Sequence, residues 1–259
     1  MTRPVFLADD LTPALATLGV GEHARLAGPE GHHAASVRRI AAGESLDVVD
    51  GRGARLTCEV VASDRDDLDL RVVEALVEPA PRPRLVLVQA LAKGGRDEQA
   101  VETATEIGVD AVLPWQADRS IVRWSPSKSA RGREKWESVV RAAAKQSRRA
   151  WVPEVGSVLD SRGLVGWVGR LIDEGGAALV CHEEGERPLS ALLASAAQRL
   201  SQAPAVALIV GPEGGISPEE LDALRGAGAE VVLLGPHVLR SASAGPAAAV
   251  LLSAALHRW

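Results

Sequence analysis

The chain has 259 residues, of which 46% are hydrophobic and 24% are charged, so it can bury a sizeable core as one large or two modest domains. It contains no apolar run long enough to span a membrane, and its first ten residues lack the basic-then-apolar order of a secretory signal. These features argue against a secreted or membrane-embedded protein and predict a soluble, cytoplasmic one. Cys58 and Cys181 are the two cysteines. Their spacing supports neither a disulfide framework nor a zinc site, and we expect no metal.

Charge is distributed unevenly along the chain. The formal net charge of -5 would by itself argue against a nucleic-acid partner, because phosphate binding needs clustered cations. Residues 1–78 carry 8 basic and 14 acidic side chains, net -6, whereas residues 115–151 carry 10 basic and 3 acidic ones, net +7. The second of these segments is therefore a candidate nucleic-acid surface.

The first part of the chain contains three short alternating runs, residues 45–49, 55–61 and 68–73. Asp50-Gly51 and a polar stretch separate them, and alternation of period two between such turns is typical of β-hairpins. We therefore interpret residues 1–76 as a small β-rich domain. The segment 78–83 carries three prolines, which predicts a stiff linker before a second domain over residues 77–259.

In the second domain, apolar runs alternate with longer amphipathic stretches. The runs are residues 85–91, 111–113, 177–181, 205–210 and 231–234. They indicate strands buried on both faces, and the helices between them imply a parallel sheet in an α/β fold. The sequence Ser-Pro-Glu-Glu at 217–220 combines an N-cap serine, a proline at the first helical position and a glutamate at the third. It predicts a helix that begins at Pro218 and ends near Gly226.

Three loops follow predicted strands at the carboxyl edge of this sheet, where ligands of α/β proteins bind. They span residues 211–215, 235–240 and 181–187, and the last precedes a helix opened by Pro188. The first two follow strands that we take to be adjacent. Glycines let main-chain groups approach a ligand closely, although they are also common in plain tight turns. Neither a dinucleotide fingerprint nor a P-loop is present, which disfavours an oxidoreductase and leaves open a nucleoside bound mainly by backbone.

The sequences around the first two loops resemble a known family. Residues 208–220, LIVGPEGGISPEE, and 233–240, LLGPHVLR, look like the C-terminal motifs of the SPOUT class of S-adenosylmethionine-dependent RNA methyltransferases. More narrowly, they resemble the bacterial small-subunit (16S) rRNA uridine-N3 methyltransferases, called RsmE-type. The resemblance covers nearly the whole chain through Thr105-Glu-Ile-Gly-Val109 with Pro114, Lys145-Gln-Ser-Arg148 with Pro153, and His33, Val37, Arg39 and Asp50-Gly51.

The resemblance implies a PUA-like β-barrel that binds RNA over residues 1–76 and a SPOUT methyltransferase domain with a deep trefoil knot over residues 77–259. It implies a homodimer that acts on 16S rRNA, naked or in the assembled small subunit, with S-adenosylmethionine as cofactor. The residues expected to bind the cofactor are Val210, Gly211, Pro212, Glu213, Gly214, Gly215, Leu234, Gly235, Pro236, Val238, Leu239, Arg240 and His182. Those expected to contact RNA are His33, Arg39, Arg119, Arg123, Lys145, Arg148 and Arg149.

Methylation of uridine N3 requires loss of a weakly acidic proton. Arg240 matches the arginine of the family motif and is the expected catalytic residue, because it would stabilise the deprotonated base. The alternative is a surface arginine paired with a helix end or a phosphate. His237 has a side chain suited to a general base near neutral pH, but the family usually has arginine there, and a loop histidine is often only solvated. Glu213 either holds the donor or favours the dipole of the next helix.

The chain departs from the family pattern beside these residues. After Arg240 the family commonly continues Thr-Glu-Thr-Ala, whereas this chain has Ser241-Ala-Ser-Ala, so one acidic candidate for a general base is missing. Lys145 stands where an acidic residue is common, and Thr103 where lysine is common. These differences leave open the alternative that the protein is a non-catalytic RNA-binding or assembly factor. A ribose 2′-O-methyltransferase of the same class is the second alternative.

The basic stretch also carries Trp124 and Trp136 between its cations. Cations that contact phosphates and rings that stack on bases are features of single-stranded RNA recognition. Helical spacing offers another interpretation, in which the cations form a solvated face opposite a buried one. The cations would be Arg131, Lys135, Arg141 and Lys145, and the buried residues Val139, Val140, Ala143 and Ala144. Because the positive charge of the protein concentrates here, we favour RNA binding.

Overall fold

The structure, a computed structural model, describes residues 3–259. The chain forms two compact units. The first extends to Ala80 and also contains Ala144–Val152, and the second contains Pro81–Ala143 and Pro153–Trp259. The basic stretch therefore contributes to both units.

Within residues 3–80, the first unit contains a six-stranded sheet. Its strands are β1 (Val5–Leu7), β2 (Leu11–Thr12), β3 (His23–Leu26), β4 (Ser45–Val49), β5 (Ala54–Ser63) and β6 (Leu68–Val77). They are ordered β1-β4-β5-β6-β3-β2. Strand β5 pairs antiparallel with β4 and β6, which confirms the predicted hairpins. Helix α1 (Gly28–His32) continues into a π-helical turn at His33–Val37.

The core of this unit follows the alternation of its strands. In β6, Leu68, Leu70 and Val72 are fully buried, whereas Asp69 between them is exposed. Side chains of a strand point alternately to its two faces. The apolar face of β6 therefore packs inward with residues such as Phe6 and Leu26.

The second unit is an α/β domain with a parallel sheet. Its strands are β7 (Arg84–Ala90), β8 (Ala111–Gln116), β9 (Glu154–Val155), β10 (Leu159–Asp160), β11 (Ala177–Cys181), β12 (Arg187–Pro188), β13 (Ala205–Val210) and β14 (Glu230–Leu233). Their order is β10-β8-β7-β13-β11-β14-β12, with β9 beside β8. Within residues 81–259 every pair is parallel, as predicted.

Helices cover both faces of this sheet. They are α2 (Arg96–Ile107), α3 (Pro126–Gln146), α4 (Ser161–Asp173), α5 (Leu189–Gln202), α6 (Pro218–Gly226) and α7 (Ser241–Ala255). Helix α7 packs on β7 and β13 together with α2 and α5, while α4 packs on β8, β11 and α6. Leu208 and Ile209, which are neighbours in β13, are both almost fully buried. The central strands are thus buried on both faces, which is why they are continuously apolar.

The predicted adjacency of β13 and β14 is wrong. Strand β11 lies between them and pairs in parallel with both. The connection from β13 through α6 to β14 therefore passes over β11. A crossover connection between parallel strands is long enough to reach a strand beyond the immediate neighbour. The three predicted loops consequently follow three neighbouring strands.

The predicted role of Trp136 as an exposed stacking ring is also wrong. Trp136 is 1% exposed and packs edge-on against Trp124 at a centroid distance of 5.7 Å. It lies one turn before Val140 on α3, and Val140 and Ala143 are buried too. Helical spacing places these residues on one core-facing stripe, so the ring belongs to the packing of α3.

Candidate functional site

The carboxyl ends of β13, β11 and β14 border a cavity of about 870 Å³ in the second unit. This volume lies within the range of roughly 300 to 1,000 Å³ that is typical of small-molecule sites. All of the predicted cofactor residues line it: Val210, Gly211, Pro212, Glu213, Gly214, Gly215, Leu234, Gly235, Pro236, Val238, Leu239, Arg240 and His182. Parallel strands that end at one edge bring these three loops together.

Arg96 also lines the cavity but is absent from the predicted set. It begins α2, directly after a fourth loop that follows β7. Gly94 and Gly95 in that loop have φ angles of 69° and 73°, which glycine adopts without steric cost. This glycine pair after a predicted strand is the sequence signal that marks the fourth loop.

Glu213 joins the loops after β13 and β7. Its Oε1 accepts a hydrogen bond from the main-chain N–H of Lys93 at 3.3 Å and another from Nη1 of Arg96 at 3.0 Å. The Glu213 side chain is 20% exposed, so the ion pair is partly shielded from solvent. The carboxylate is therefore paired with a cation and does not merely face the start of α6.

The start of α6 is the predicted capping box. The Ser217 hydroxyl accepts from the N–H of Glu220 at 3.2 Å, and Oε2 of Glu220 accepts from the N–H of Ser217 at 2.9 Å. Oε1 of Glu220 accepts from the N–H of Asp118 at 2.8 Å and from the hydroxyl of Ser161. This buried carboxylate thus ties the glycine loop to α4 and to the loop after β8.

Two glycines of the loops have different surroundings. A Cβ on Gly214 would lie 3.0 Å from the carbonyl oxygen of Arg119, so the two backbones approach closely there. A Cβ on Gly235 would meet nothing within 4 Å, although Gly235 lines the cavity. A side chain at position 235 would therefore project into open cavity space.

Several main-chain N–H groups of the loop after β14, which lines the cavity, have no acceptor in the part of the chain that the structure describes. Within residues 3–259, no hydrogen bond engages the N–H groups of Gly235, His237, Val238 or Leu239. A main-chain N–H group needs a hydrogen-bond acceptor when a ligand shields it from water. A ligand with acceptor atoms along one planar edge would supply such partners.

Arg240 lies at the N-cap of α7 and lines the cavity. Its carbonyl oxygen accepts from the N–H groups of Ser243 and Ala244. Its guanidinium has no partner within residues 3–259. Arg240 is therefore not a surface arginine that pairs with a helix end, which was one of the two alternatives. The free charge is available to an anionic group in the cavity.

Two histidines and a cysteine also line the cavity, together with the carboxylates of Glu183 and Glu184. His237 is exposed. Nδ1 of His182 accepts a hydrogen bond from the N–H of Glu184 at 3.2 Å. Burial raises the pKa of the Cys181 thiol to about 12. This direction favours the protonated thiol near neutral pH.

The predicted RNA contacts in the second unit are Arg119 and Arg123, both in the loop between β8 and α3. Nη1 of Arg119 donates to the carbonyl of Gly214 at 3.4 Å, and Nη2 of Arg123 donates to the carbonyl of Asp118 at 2.8 Å. Both side chains are exposed. They are cations that hydrogen-bond to neutral carbonyl groups.

The remaining predicted contacts belong to the first unit. Nζ of Lys145 lies 2.6 and 2.7 Å from the two carboxylate oxygens of Glu30, and 5.6 Å above the ring of Phe6. His33 packs edge-on against the same ring, and burial, then the charge of Lys145, lowers the pKa of His33. The ammonium of Lys145 is thus already paired, and its contact with RNA stays a prediction.

Arg39 and Arg148 share an uncommon backbone conformation. Their φ angles are 55° and 60°, a region that residues with a Cβ rarely adopt. Both side chains are exposed, whereas Arg149 is half-buried. Strained backbone of this kind clusters at functional positions, so Arg39 and Arg148 stay candidate RNA contacts.

No helix within residues 3–259 is long and apolar enough to cross a membrane. In the same residues, no group of three or more His, Cys, Asp or Glu side chains is arranged to hold a metal ion.

A β-rich unit and a parallel α/β unit with a cavity at its carboxyl edge define a two-unit protein that binds a small ligand through loops. A family model described as an RNA methyltransferase domain matches residues 78–253, and one described as an RNA methyltransferase PUA domain matches residues 26–73. The chain belongs to this RNA methyltransferase family.

Individual relatives agree with the family assignment. The ribosomal RNA small subunit methyltransferase E of Mycobacterium bovis is 44% identical over 90% of this chain and 86% of its own length. That of Bacillus subtilis is 28% identical over 85% of each chain. A Legionella pneumophila methyltransferase, solved in complex with bound SAM, is 25% identical, has a TM-score of 0.78 and covers 98% of each chain.

Proposed function

We propose that this protein transfers a methyl group from S-adenosylmethionine to N3 of a uridine in small-subunit (16S) ribosomal RNA. The observation that carries the proposal is that all predicted cofactor residues line one cavity of suitable volume. Support comes from two relatives that are named small-subunit rRNA methyltransferases, and from the Legionella relative with SAM bound.

The residues of the cavity fit S-adenosylmethionine. The unpaired N–H groups of residues 235 and 237–239 suit the acceptor atoms of an adenine edge, and Leu234, Val238 and Leu239 offer apolar contact to its faces. The open space at Gly235 leaves room for the ligand at the centre of the site. When bound, this cofactor supplies an electrophilic methyl group on a sulfonium.

The chain's own residues then have two tasks. The loops would position both reactants, and positioning can lower the activation barrier by roughly 7 to 11 kcal/mol. A general base typically raises the rate by roughly 10²- to 10⁴-fold, which is a smaller effect. Arg240 stabilises the negative charge that develops on the uracil ring as N3 loses its proton. His237, exposed on the same cavity wall, is the candidate that receives the proton.

We further propose the domain and quaternary arrangement of the family. Residues 1–76 act as the PUA-like RNA-binding domain and residues 77–259 as the knotted SPOUT domain. Helix α7 contains no charged residue, and Ala247, Val250, Leu251 and Ala254 form a partly exposed strip on it. Apolar residues at this helical spacing suit a self-complementary contact with a second copy. The homodimer would act in the cytoplasm.

Calorimetry and methyl transfer with purified protein test the proposal. We expect S-adenosylmethionine to bind, and 16S rRNA or small subunits that lack the modification to gain N3-methyluridine. The absence of a glutamate after Arg240 favours one competing function, a non-catalytic RNA-binding factor. RNA binding without heat release from S-adenosylmethionine would support that factor. A methyl group on ribose would instead indicate 2′-O-methylation.

A further inference from the structure

An exposed apolar side chain lies between two arginines in sequence, and one of these arginines lines the cavity. Ile121, in the loop between β8 and α3, is 66% exposed. Arg119 and Arg123 lie two residues before and after it, and both are exposed. We call residues 119–123 the arginine tip. Single exposed apolar residues are common, so the surroundings of Ile121 decide whether it has a function.

The loop that carries the arginine tip is held in one conformation. The N–H of Asp118 donates to the buried carboxylate of Glu220 at 2.8 Å, and the N–H of Trp124 donates to Oε1 of Gln116 at 2.8 Å. Arg123 closes the loop internally by donating to the carbonyl of Asp118 at 2.8 Å. These bonds anchor both ends of the tip, and Ile121 is exposed between them.

The arginine tip adjoins the methyl-donor cavity. Arg119 lines the cavity and donates to the carbonyl of Gly214 at 3.4 Å. The backbones of Arg119 and Gly214 approach so closely that a Cβ on Gly214 would lie 3.0 Å from the Arg119 carbonyl oxygen. Ile121 therefore stands two residues from the wall of the cavity.

The two arginines retain their full charge. Among residues 3–259, neither Arg119 nor Arg123 pairs with a carboxylate. Several other cations of this unit are paired, namely Arg96 with Glu213, Arg133 with Glu137 and Lys135 with Glu98. Arginines without an acidic partner beside an exposed apolar residue complement a polyanion that also offers apolar base faces.

Resting on the proposed function, we infer that the arginine tip is a wedge that holds the target uridine out of its stack. Ile121 inserts between the bases that flank the target, and Arg119 and Arg123 bind the neighbouring phosphates. Enzymes that modify a base act on single-stranded nucleic acid or extrude the base from its stack, and some nucleic-acid-binding proteins insert apolar side chains between base steps. The displaced base would then lie beside the cavity.

Chemical probing of the RNA tests the wedge without methyl transfer. We would probe 2′-hydroxyl reactivity of unmethylated 16S rRNA with the full-length protein and no cofactor. We expect the wild type to create one hyper-reactive nucleotide, Ile121→Ala to abolish it, and Ile121→Leu to retain it. Gln198→Ala, at an exposed residue on α5 outside the proposed RNA-binding domain and the cavity, is the control and should behave as the wild type.

A methylation assay with the same variants gives the second readout. Ile121→Ala should lower the rate about tenfold or more, because base displacement precedes chemistry, while calorimetry shows unchanged affinity for S-adenosylmethionine. The wedge is overturned if Ile121→Ala keeps wild-type probing and rate, if the wild type creates no hyper-reactive nucleotide, or if Ile121→Ala changes the oligomeric state. A hyper-reactive nucleotide without methyl transfer by the wild type would contradict the proposed function alone.

Discussion

Arg240 is the residue on which the proposed chemistry depends most. Arg240 lines the cavity, and its guanidinium has no partner within residues 3–259. Removing the side chain therefore leaves no other group of these residues without a hydrogen-bond partner. We expect Arg240→Ala to lower kcat by about 10²- to 10³-fold, as for the loss of one donor to a developing anion. Calorimetry should show nearly unchanged affinity for S-adenosylmethionine. An unchanged kcat would contradict a catalytic role.

His33 should make the stability of the protein depend on pH. Burial and the charge of Lys145 lower the pKa of His33, so the folded protein binds fewer protons than the unfolded one when the pH falls below the unfolded pKa of about 6.5. Stability therefore decreases as the pH falls through that value towards the lowered pKa.

Denaturant unfolding of His33→Gln tests this prediction. The free energy of unfolding should decrease less between about pH 7.5 and about pH 5.5 in the variant than in the wild type, because the linked proton is lost. His23→Gln, at an exposed histidine on β3, is the control and should follow the wild type. Equal pH dependence in His33→Gln and the wild type would show that His33 does not carry this linkage.

At the scale of elements, local patterns predicted the structure well. The hairpins of β4 to β6, the apolar strands β7 and β13 and the start of α6 each depend on residues close together in sequence. The position of β11 between β13 and β14 and the burial of Trp136 depend on packing between distant segments. Alternation and helical spacing determine which face is apolar, but they do not determine which element covers it.

Glu220 connects three elements at the base of the site. Its buried carboxylate accepts from Ser217, Asp118 and Ser161. We expect Glu220→Gln to lower the free energy of unfolding by roughly 1 to 3 kcal/mol, because a neutral amide accepts with one oxygen only and leaves buried donors unsatisfied. Glu219→Gln, at the exposed neighbouring residue, should have little effect in the same denaturant titration. Equal effects would mean that the network adds no stability.

The loop after β14 is tested by filling its open space. Gly235→Val should weaken binding of S-adenosylmethionine by about tenfold or more, because the added side chain occupies cavity volume and covers main-chain donors. Gly169→Val on α4, where a Cβ also meets nothing within 4 Å, is the control for folding. Wild-type affinity of Gly235→Val in calorimetry would mean that the ligand does not reach this loop.

For the whole molecule, the sequence predicted the positions of the loops better than the contacts between them. Short glycine motifs after strands identified the three loops, because their backbone requirement is local. The ion pair of Arg96 with Glu213 and the approach of Arg119 to Gly214 join segments more than ninety residues apart. Such pairings arise only from the order of the strands, which the motifs do not encode.

The structure shows which cations of the basic stretch are paired with acidic side chains. The basic stretch contributes residues to both units, and several of its cations pair with acids, as Lys145 does with Glu30. Net charge therefore overstates the cations available to RNA. Arg119 and Arg123, which pair with carbonyl oxygens, are the stronger candidates in the second unit.

The central claim is the methylation of small-subunit rRNA at uridine N3. The most direct measurement is mass analysis of nucleosides from 16S rRNA of source cells with the gene deleted and with it restored. We predict that N3-methyluridine disappears on deletion, returns with the wild-type gene and does not return with Arg240→Ala. Unchanged N3-methyluridine in the deleted cells would contradict the account.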